Sequence, residues 1–220
     1  MSVLELEKEV LDSPTAYLIL NRIQEALERE KAERQRFYEI IDEDRKMEFI
    51  NGQIVFQSPV KRSHNSATLT IARLLDTFVT EHDLGWVGIE KILVSLTRND
   101  YEPDVCFWKT EKATAFTDAQ MQFPAPDLAV EVLSKSTQKT DRETKFADYE
   151  AHGVGEYWLV DTDKKIVEQY VLEEGRYELR MKSSDGMLTC EAIAGLAFPV
   201  GAIFDKKQTN RIINRILAGT

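Results

Sequence analysis

Two carboxylate residues in apolar surroundings are the first candidates for chemistry in this sequence. Glu131 lies inside the run Leu128-Ala-Val-Glu-Val-Leu133, and Asp104 opens the run Val105-Cys-Phe-Trp108 directly after Pro103. A continuous apolar run of this length is typical of a strand buried on both faces, where an ionised carboxylate is costly unless it is paired or binds a metal. The alternatives are a strand-end glutamate paired with a basic side chain, and an aspartate that only shapes a turn.

Together these two carboxylates predict a site for a divalent cation. Carboxylates at the ends of neighbouring strands can hold a hard cation such as Mg²⁺, which takes oxygen ligands and keeps several waters. Such a cation can activate a water and stabilise the transition state of phosphodiester hydrolysis. We therefore expect Mg²⁺ or Mn²⁺ at Asp104 and Glu131.

A cationic side chain beside the attacking water would complete such a site. The sequence predicts a helix from about Gln138 to His152, and Lys145 lies on its face together with Asp141 and Tyr149 at steps of four. Lys135 and Lys139 are nearer to Glu131 in sequence but lie in or beside the preceding loop. The alternative for each of these lysines is an ordinary solvated surface charge.

The elements that must position these residues begin after a helical arm. Residues 1–45 predict helix with a break near Ser13-Pro14, and the segment Glu28–Arg36 is almost purely charged. A helix that is polar all round either bridges solvent or packs on a partner. We interpret residues 1–45 as an arm that forms a dimer contact, or else as a solvated helix on its own domain.

The remaining chain predicts an α/β (α+β) core of strands grouped around helices. Lys46 opens a hairpin with Asn51-Gly52 in a type I′ turn, and Ser63 is expected to cap a helix that runs to about His82. Strands are expected at 86–96, 104–108, 128–133 and 157–161, with an irregular loop over 109–126. Further hairpin strands are expected after 165, and a final helix over 205–217. The predicted domains are the arm at 1–45, the core at 46–205 and a C-terminal helix at 206–220.

The composition argues against several classes of protein. The chain has 220 residues, 28 Lys plus Arg and 38 Asp plus Glu, and a net charge of −10, which argues against non-specific binding to DNA or anionic membranes by the whole surface. The sequence has no apolar run long enough to span a membrane, and its acidic start lacks the features of a secretory signal. Cys106 and Cys190 lie in apolar stretches, which favours reduced thiols and a cytoplasmic protein.

Several ordered motifs resemble a known family. The segments that carry the resemblance are Tyr101-Glu-Pro-Asp104, Pro126-Asp-Leu-Ala-Val-Glu131-Val-Leu-Ser-Lys-Ser-Thr137, the helix with Asp141, Lys145 and Tyr149, and Glu156-Tyr-Trp-Leu-Val-Asp161. Glu48-Phe-Ile-Asn-Gly52 and His64 also match. This pattern, over roughly Lys46 to Phe204, resembles a widespread bacterial family of restriction-endonuclease-like proteins in the PD-(D/E)XK nuclease superfamily.

The resemblance implies a central mixed β-sheet flanked by helices, with Asp104 and Glu131 as the acidic residues of the superfamily motif. The lysine expected two residues after Glu131 is replaced by Leu133, and Lys145 is the matching position on the following helix. Glu48 would be an auxiliary acid, or a hairpin residue that faces solvent. His64 would touch the site or only form hydrogen bonds at a helix start.

The main hypothesis is a metal-dependent DNA endonuclease. Asp104, Glu131 and the backbone carbonyl of Val132 would bind the metal, and Lys145 would hold the nucleophilic water. Basic residues beside the site would meet the DNA backbone; these are Lys61, Arg62, Lys135, Lys139 and Arg142, with His64 as a further substrate contact. Cleavage of both strands needs two sites, which suits a homodimer formed through the arm.

Two alternatives stay open. The first is a catalytically inactive nuclease fold that acts as a nucleic-acid-binding or protein-interaction module, which the acidic total and Leu133 favour. The second is a metal-dependent hydrolase of another phosphoester, since a fold does not determine a substrate.

Overall fold

The computed structural model describes residues 3–41 and 45–219, so the ends of the predicted arm at 1–2 and 42–44, and residue 220, lie outside the described residues. The chain divides into two compact units, residues 1–57 and 58–220. The hairpin after the arm thus groups with the N-terminal unit, and the predicted domain boundaries stay a prediction. No helix in the described ranges is long and apolar enough to cross a membrane.

The N-terminal unit consists of two helices and a hairpin. Helix α1 is Val3–Leu11, helix α2 is Ala16–Ile40, and strands β1 (Met47–Ile50) and β2 (Gln53–Phe56) pair antiparallel. Phe37, buried in α2, packs its ring 5.8 Å from that of Phe49 in β1.

The predicted turn of this hairpin is confirmed. Asn51 and Gly52 have φ of 50° and 79°, the left-handed conformation that a two-residue type I′ turn requires at both positions. Gly52 is needed for a second reason, because a Cβ at this position would lie 2.8 Å from Cγ of Glu30.

The C-terminal unit contains the remaining helices and strands. Their bounds are α3 (Arg62–Glu81), β3 (Gly85–Ile89), β4 (Leu93–Ser95), β5 (Asp100–Tyr101), β6 (Val105–Lys109), α4 (Thr110–Ala113), β7 (Gln122–Phe123), β8 (Leu128–Val132), α5 (Gln138–Thr140), α6 (Phe146–Ala151), β9 (Glu156–Asp161), β10 (Ile166–Glu173), β11 (Arg176–Ser183), β12 (Met187–Thr189), β13 (Ala197–Pro199) and α7 (Lys206–Leu217). A π-helical turn, Asp141–Lys145, joins α5 to α6, and a 3₁₀ turn, Val200–Ile203, follows β13.

A six-stranded mixed sheet forms the centre of this unit, with strand order β11-β10-β9-β8-β6-β3. The central strands β8 and β9 are parallel and the other neighbours are antiparallel. The predicted fold class, a mixed sheet with flanking helices, is confirmed. A parallel pair needs a crossover, and the helical segment 138–151 supplies it between β8 and β9.

The two faces of the sheet carry different side chains. Val130 and Val132 belong to the main hydrophobic core with Ile71 of α3 and Ile212 of α7. Because neighbouring strand residues point to opposite faces, Glu131 faces the other side, towards the segment 138–151. The alternation of β8 therefore places one carboxylate on the face that the crossover helix covers.

Four local predictions were wrong or incomplete. Ser63 is not the N-cap, because α3 begins at Arg62 after Lys61. The expected strand over 86–96 is broken between β3 and β4, where Glu90 has a positive φ of 55°. The irregular loop 109–126 contains α4 and β7, and the expected helix over 138–152 contains a π-helical turn.

Candidate active site

Asp104 lies at the entry of β6 and is held from two sides. Its Oδ2 accepts a hydrogen bond from the backbone N–H of Val132 at 2.7 Å, and its Oδ1 is 3.1 Å from Nε2 of His64. Asp104 and His64 are both buried. The contact with Val132 ties this carboxylate to the end of β8, the strand that carries Glu131.

The register of β6 and β8 explains why the two acids meet. Val105 pairs with Val130 in antiparallel register, so one further step places Asp104 opposite Glu131. Directly opposed residues of an antiparallel pair point to the same face, with Cβ atoms about 4.5–5.5 Å apart. The backbone pairing therefore brings the two predicted acids to one edge of the sheet.

Lys145 meets Glu131 by way of the crossover helix. Its Nζ donates to Glu131 Oε1 at 2.8 Å and lies 3.5 Å from Asp141 Oδ1. The hydroxyl of Tyr149 donates to the same Glu131 oxygen at 3.5 Å. All four side chains are buried, so this ion pair is shielded from solvent.

The π-helical turn shapes this approach. A π turn widens the helix by one residue and is frequent at functional sites. Here it spans Asp141–Lys145 and buries the first and last side chains of the turn, which form an ion pair across it. The local backbone thus turns a surface-type lysine and an aspartate inward, onto the sheet face that holds Glu131.

The electrostatics of the site depend on three buried charged side chains. One ammonium, Lys145, faces two carboxylates, Glu131 and Asp141, with side-chain exposures of 3%, 6% and 1%. Burying an ion is expensive unless partners and hydrogen bonds compensate. Removal of Lys145 would therefore take away the ammonium that both buried carboxylates contact.

Sequence reasoning did not assign a role to Tyr101. Lys145 Nζ lies 5.5 Å from the centroid of the Tyr101 ring, within the range of a cation–π contact. Tyr101 stands three residues before Asp104, in the same motif. The only sequence signal for Tyr101 was its position three residues before Asp104. That position does not identify Lys145 as the partner of its ring.

Two other predicted site residues lie near element starts. His64 is in the first turn of α3, and its Nδ1 is buried without a hydrogen-bond partner among the described residues. Glu48 is buried in β1 of the N-terminal unit, where its Oε2 accepts from Gln57 Nε2 at 2.8 Å. The role of Glu48 as an auxiliary acid stays a prediction.

The predicted DNA contacts are surface residues. Arg62, Lys135 and Lys139 are exposed, and Lys139 Nζ is 3.9 Å from Glu143 Oε2. Arg142 was also expected to meet DNA, but its guanidinium donates two 2.8 Å hydrogen bonds to Glu168. These bonds outweigh burial and lower the pKa of Glu168 to about 2, which marks Arg142 as a partner in a structural ion pair.

The donor set fits a hard divalent cation. Asp104 and Glu131 supply carboxylate oxygens from opposed strand positions, the type of ligand that Mg²⁺ and Mn²⁺ take. No group of three or more His, Cys, Asp or Glu side chains within 3–41 and 45–219 is arranged to hold a metal ion. A site with two carboxylates is still consistent with Mg²⁺, because this ion keeps several waters.

The sheet, its crossover helix and the paired acids define a nuclease-type fold. A crystal structure described as a putative nuclease belonging to DUF820 from Anabaena variabilis matches it with a TM-score of 0.66 and 17% identity, over 76% of this chain and 94% of that chain. At this identity the match shows the fold alone.

Sequence comparison identifies the family. A sequence model of Uma2, described as "putative restriction endonuclease", matches residues 34–201, and this chain belongs to that family. The chain is also 31% identical over 128 residues to "Uncharacterized protein sll1609" of Synechocystis sp., across 57% of this chain and 71% of that protein. The matched range includes Glu48, His64, Asp104, Glu131 and Lys145, whereas α1 and most of α2 precede it.

Proposed function

We propose that this protein is a metal-dependent endonuclease that hydrolyses phosphodiester bonds in DNA. The observation that carries the proposal is the 2.8 Å contact between Lys145 Nζ and Glu131. The superfamily motif expects a lysine two residues after this acid, where the chain has Leu133. A lysine that reaches the same carboxylate from the next helix supports a relocated, functional motif.

Asp104 and Glu131, with the backbone carbonyl of Val132, would hold Mg²⁺ or Mn²⁺. When bound, such a cation neutralises charge on the scissile phosphate and on the reacting oxygens. The N–H of Val132 and the ring of His64 hold the two oxygens of Asp104, which fixes the direction of this carboxylate. A ligand oriented in advance costs less reorganisation during the reaction.

Lys145 would orient the attacking water. Its ammonium can donate three hydrogen bonds, so it can donate to Glu131 and Asp141 and also to a water beside the phosphate. Because Lys145 is positively charged, it also stabilises negative charge that develops on that water. Glu48 would act as an auxiliary acid that binds a water or a second cation.

The DNA would lie over the exposed basic residues beside the site. Arg62 at the start of α3, and Lys135 and Lys139 after β8, would contact phosphates, and His64 would contact the substrate nearest to Asp104. Phosphate contacts position a protein on DNA without reading its sequence. They matter here because the net charge of −10 opposes the approach of a polyanion.

We further propose that the protein acts as a homodimer through its arm. Eight large apolar residues of α1 and α2 are 45% exposed or more: Leu4, Leu6, Leu11, Tyr17, Leu18, Leu20, Ile23 and Leu27. Apolar patches larger than a few hundred Å² mark interaction sites. A second copy would cover this surface and supply the second site that cleavage of both strands requires.

The proposed location is the cytoplasm. Cys106 and Cys190 are free thiols and both are buried, as suits a reducing compartment. Burial raises the pKa of the Cys190 thiol, and the neighbouring Glu156 carboxylate adds to this effect. Both observations support unreactive, reduced cysteines.

The second candidate function is a catalytically inactive nuclease fold that binds nucleic acid or another protein. The presence of Leu133 in place of the motif lysine favours it. The burial of two carboxylates with one ammonium at the sheet edge favours the enzyme, because a site without function has no reason to keep this costly arrangement.

The test is cleavage of supercoiled plasmid by purified protein with Mg²⁺ or Mn²⁺. Wild type should nick or linearise the plasmid, Glu131→Gln should abolish this while the circular dichroism spectrum is kept, and Lys135→Ala should mainly weaken DNA binding. Glu156→Gln is the matched control, because Glu156 is a buried acid in the adjacent strand β9, outside the proposed site. Full activity of Glu131→Gln would reject the mechanism, and an inactive wild type that still binds DNA would favour the second candidate.

A further inference from the structure

Tyr101 forms one wall of the space that holds the Lys145 ammonium. In addition to the 5.5 Å contact with Lys145 Nζ, the Tyr101 ring packs edge-on against Tyr149, with 5.5 Å between centroids. Tyr149 in turn reaches Glu131 through its hydroxyl. Tyr101 therefore contacts the ammonium directly and also packs on Tyr149, which bonds the carboxylate partner of that ammonium, so that movement of Tyr101 would let Lys145 shift.

Asp148 fixes the outer end of Tyr101. The Tyr101 hydroxyl donates to Asp148 Oδ2 at 2.7 Å, and Asn99 Nδ2 donates to the same oxygen at 2.7 Å. Asp148 lies on α6, three residues after Lys145, and Tyr101 lies on β5. This carboxylate therefore connects the strand that carries the ring to the helix that carries the lysine.

His152 fixes the second oxygen of Asp148. Its Nδ1 is 3.0 Å from Asp148 Oδ1 and 2.8 Å from the Asp148 carbonyl oxygen. Its Nε2 accepts from the backbone N–H of Thr97 at 3.2 Å and lies 2.8 Å from Thr97 Oγ1. Because a backbone N–H can only donate, Nε2 is the unprotonated nitrogen and Nδ1 carries the hydrogen.

Thr97, His152 and Asp148 place a hydroxyl, an imidazole and a carboxylate in the order of a hydrolytic triad, but their contacts join two segments of the backbone. The Thr97 backbone N–H donates to the same Nε2 that the Thr97 hydroxyl approaches at 2.8 Å, so this nitrogen holds both groups of Thr97 in place. The imidazole therefore acts as a clamp between the turn at 96–99 and helix α6. The turn leads directly into β5, so the clamp also fixes Tyr101.

We propose that Tyr101, Asp148 and His152 are positioning residues that hold Lys145 against Glu131. The effect of these residues on catalysis rests on the proposed nuclease function, whereas their effect on the position of Lys145 does not. A loosened lysine would orient the water poorly, and misplacement of a reacting group by about 1 Å can reduce a rate about 100-fold. Loss of the clamp should therefore lower kcat and leave KM unchanged, because none of these residues is placed at the DNA.

The experiment follows the ¹⁵Nζ resonance of Lys145 in the full-length protein, assigned by its loss in Lys145→Met. Tyr101→Phe keeps the ring and loses its bond to Asp148, and His152→Gln removes the imidazole. Each should shift or broaden this resonance and lower kcat about 10- to 100-fold. Because both substitutions break the same connection through Asp148, the kcat of the double variant should be no lower than that of the single variants.

His82→Gln is the matched control. Its Nδ1 lies 2.8 Å from the Phe78 carbonyl, the same i, i−4 contact that His152 makes with Asp148, at the far end of α3. This variant should leave both the resonance and kcat unchanged. A purely structural role would lower the melting temperature of the His152 variant without moving the Lys145 resonance, and that result would overturn the inference. If the resonance moves but wild type cleaves no DNA, positioning stands and the nuclease function fails.

Discussion

Replacement of Lys145 by methionine should destabilise the protein strongly, and the size of the effect follows from the charges in the site. Lys145 faces Glu131 and Asp141, and all three are almost fully buried, so these three side chains together carry a net charge of −1. Lys145→Met takes the ammonium away from both carboxylates and changes the net charge of these three positions to −2. Breaking a buried ion pair by removal of one partner costs about 3–5 kcal/mol. For a domain of this size, that corresponds to a decrease in melting temperature of roughly 6–20 °C.

The opposite substitution should be much milder. Glu131→Gln leaves Lys145 paired with Asp141 and brings these three positions to neutrality, so the ammonium keeps a carboxylate partner. The double variant Lys145→Met, Glu131→Gln returns the net charge to −1 and should recover part of the stability that Lys145→Met loses. The expected order of stability is therefore wild type and Glu131→Gln above the double variant, with Lys145→Met lowest.

Urea denaturation at neutral pH measures these differences, provided that the m value stays constant across the variants. Lys139→Met is the matched control, because Lys139 is exposed and 3.9 Å from Glu143. Exposed ion pairs contribute about 0–1 kcal/mol, so this variant should stay close to wild type. The reasoning would be refuted if Lys145→Met were as stable as wild type, or if Glu131→Gln were the less stable of the two.

Two further outcomes concern acid stability and the arm. Arg142 lowers the pKa of Glu168 from 4.5 to about 2, so the pair stabilises the fold above about pH 4.5 and loses this effect as the pH falls towards 2. Glu168→Gln should lower the free energy of unfolding by about 1–3 kcal/mol at pH 6 and by little near pH 2; the range allows for solvent screening at the partly exposed arginine. An equal loss at both pH values would contradict this. Leu20→Glu, Ile23→Glu and Leu27→Glu together should convert a dimer to a monomer in sedimentation; an unchanged mass would reject the arm contact.

The arm test uses substitutions because a deletion would cut into the folded unit. Phe37 of α2 is fully buried and packs on Phe49 of the hairpin, so removal of residues 1–40 would delete Phe37 and uncover the buried Phe49. Leu20, Ile23 and Leu27 lie on the half-exposed part of α2, before the buried end of the helix. Their change leaves the contact between α2 and the hairpin intact.

Much of the fold could be predicted because its signals are local. The hairpin follows from Asn51-Gly52, whose residue types tolerate positive φ, and the strand with Glu131 follows from a short apolar run. The proximity of Asp104 and Glu131 was expected from their places at the ends of neighbouring strands, and the register of β6 and β8 gives it a simple physical basis. Patterns in the sequence therefore identified the acids, and backbone pairing explains their proximity.

Other features depend on packing that sequence patterns do not encode. The cap of α3 was assigned to Ser63 on residue type, but the N-cap is Lys61, two residues earlier, so this hydroxyl has no capping role. A regular helix over 138–152 has the same apolar spacing as one with a π-helical turn, so the periodicity could not distinguish them. The contacts of Tyr101, Asp148 and His152 join residues that are about 50 positions apart or belong to different elements, and no local signal links them.

The measurement that tests the central claim most directly is the binding of Mn²⁺ to the purified protein, followed by electron paramagnetic resonance. Wild type should bind Mn²⁺ at a site that Mg²⁺ competes for, and Asp104→Asn should lose that site while Glu168→Gln, a buried acid elsewhere, retains it. Equal Mn²⁺ binding by wild type and Asp104→Asn would contradict the proposal that the acids at the start of β6 and near the end of β8 hold the catalytic cation.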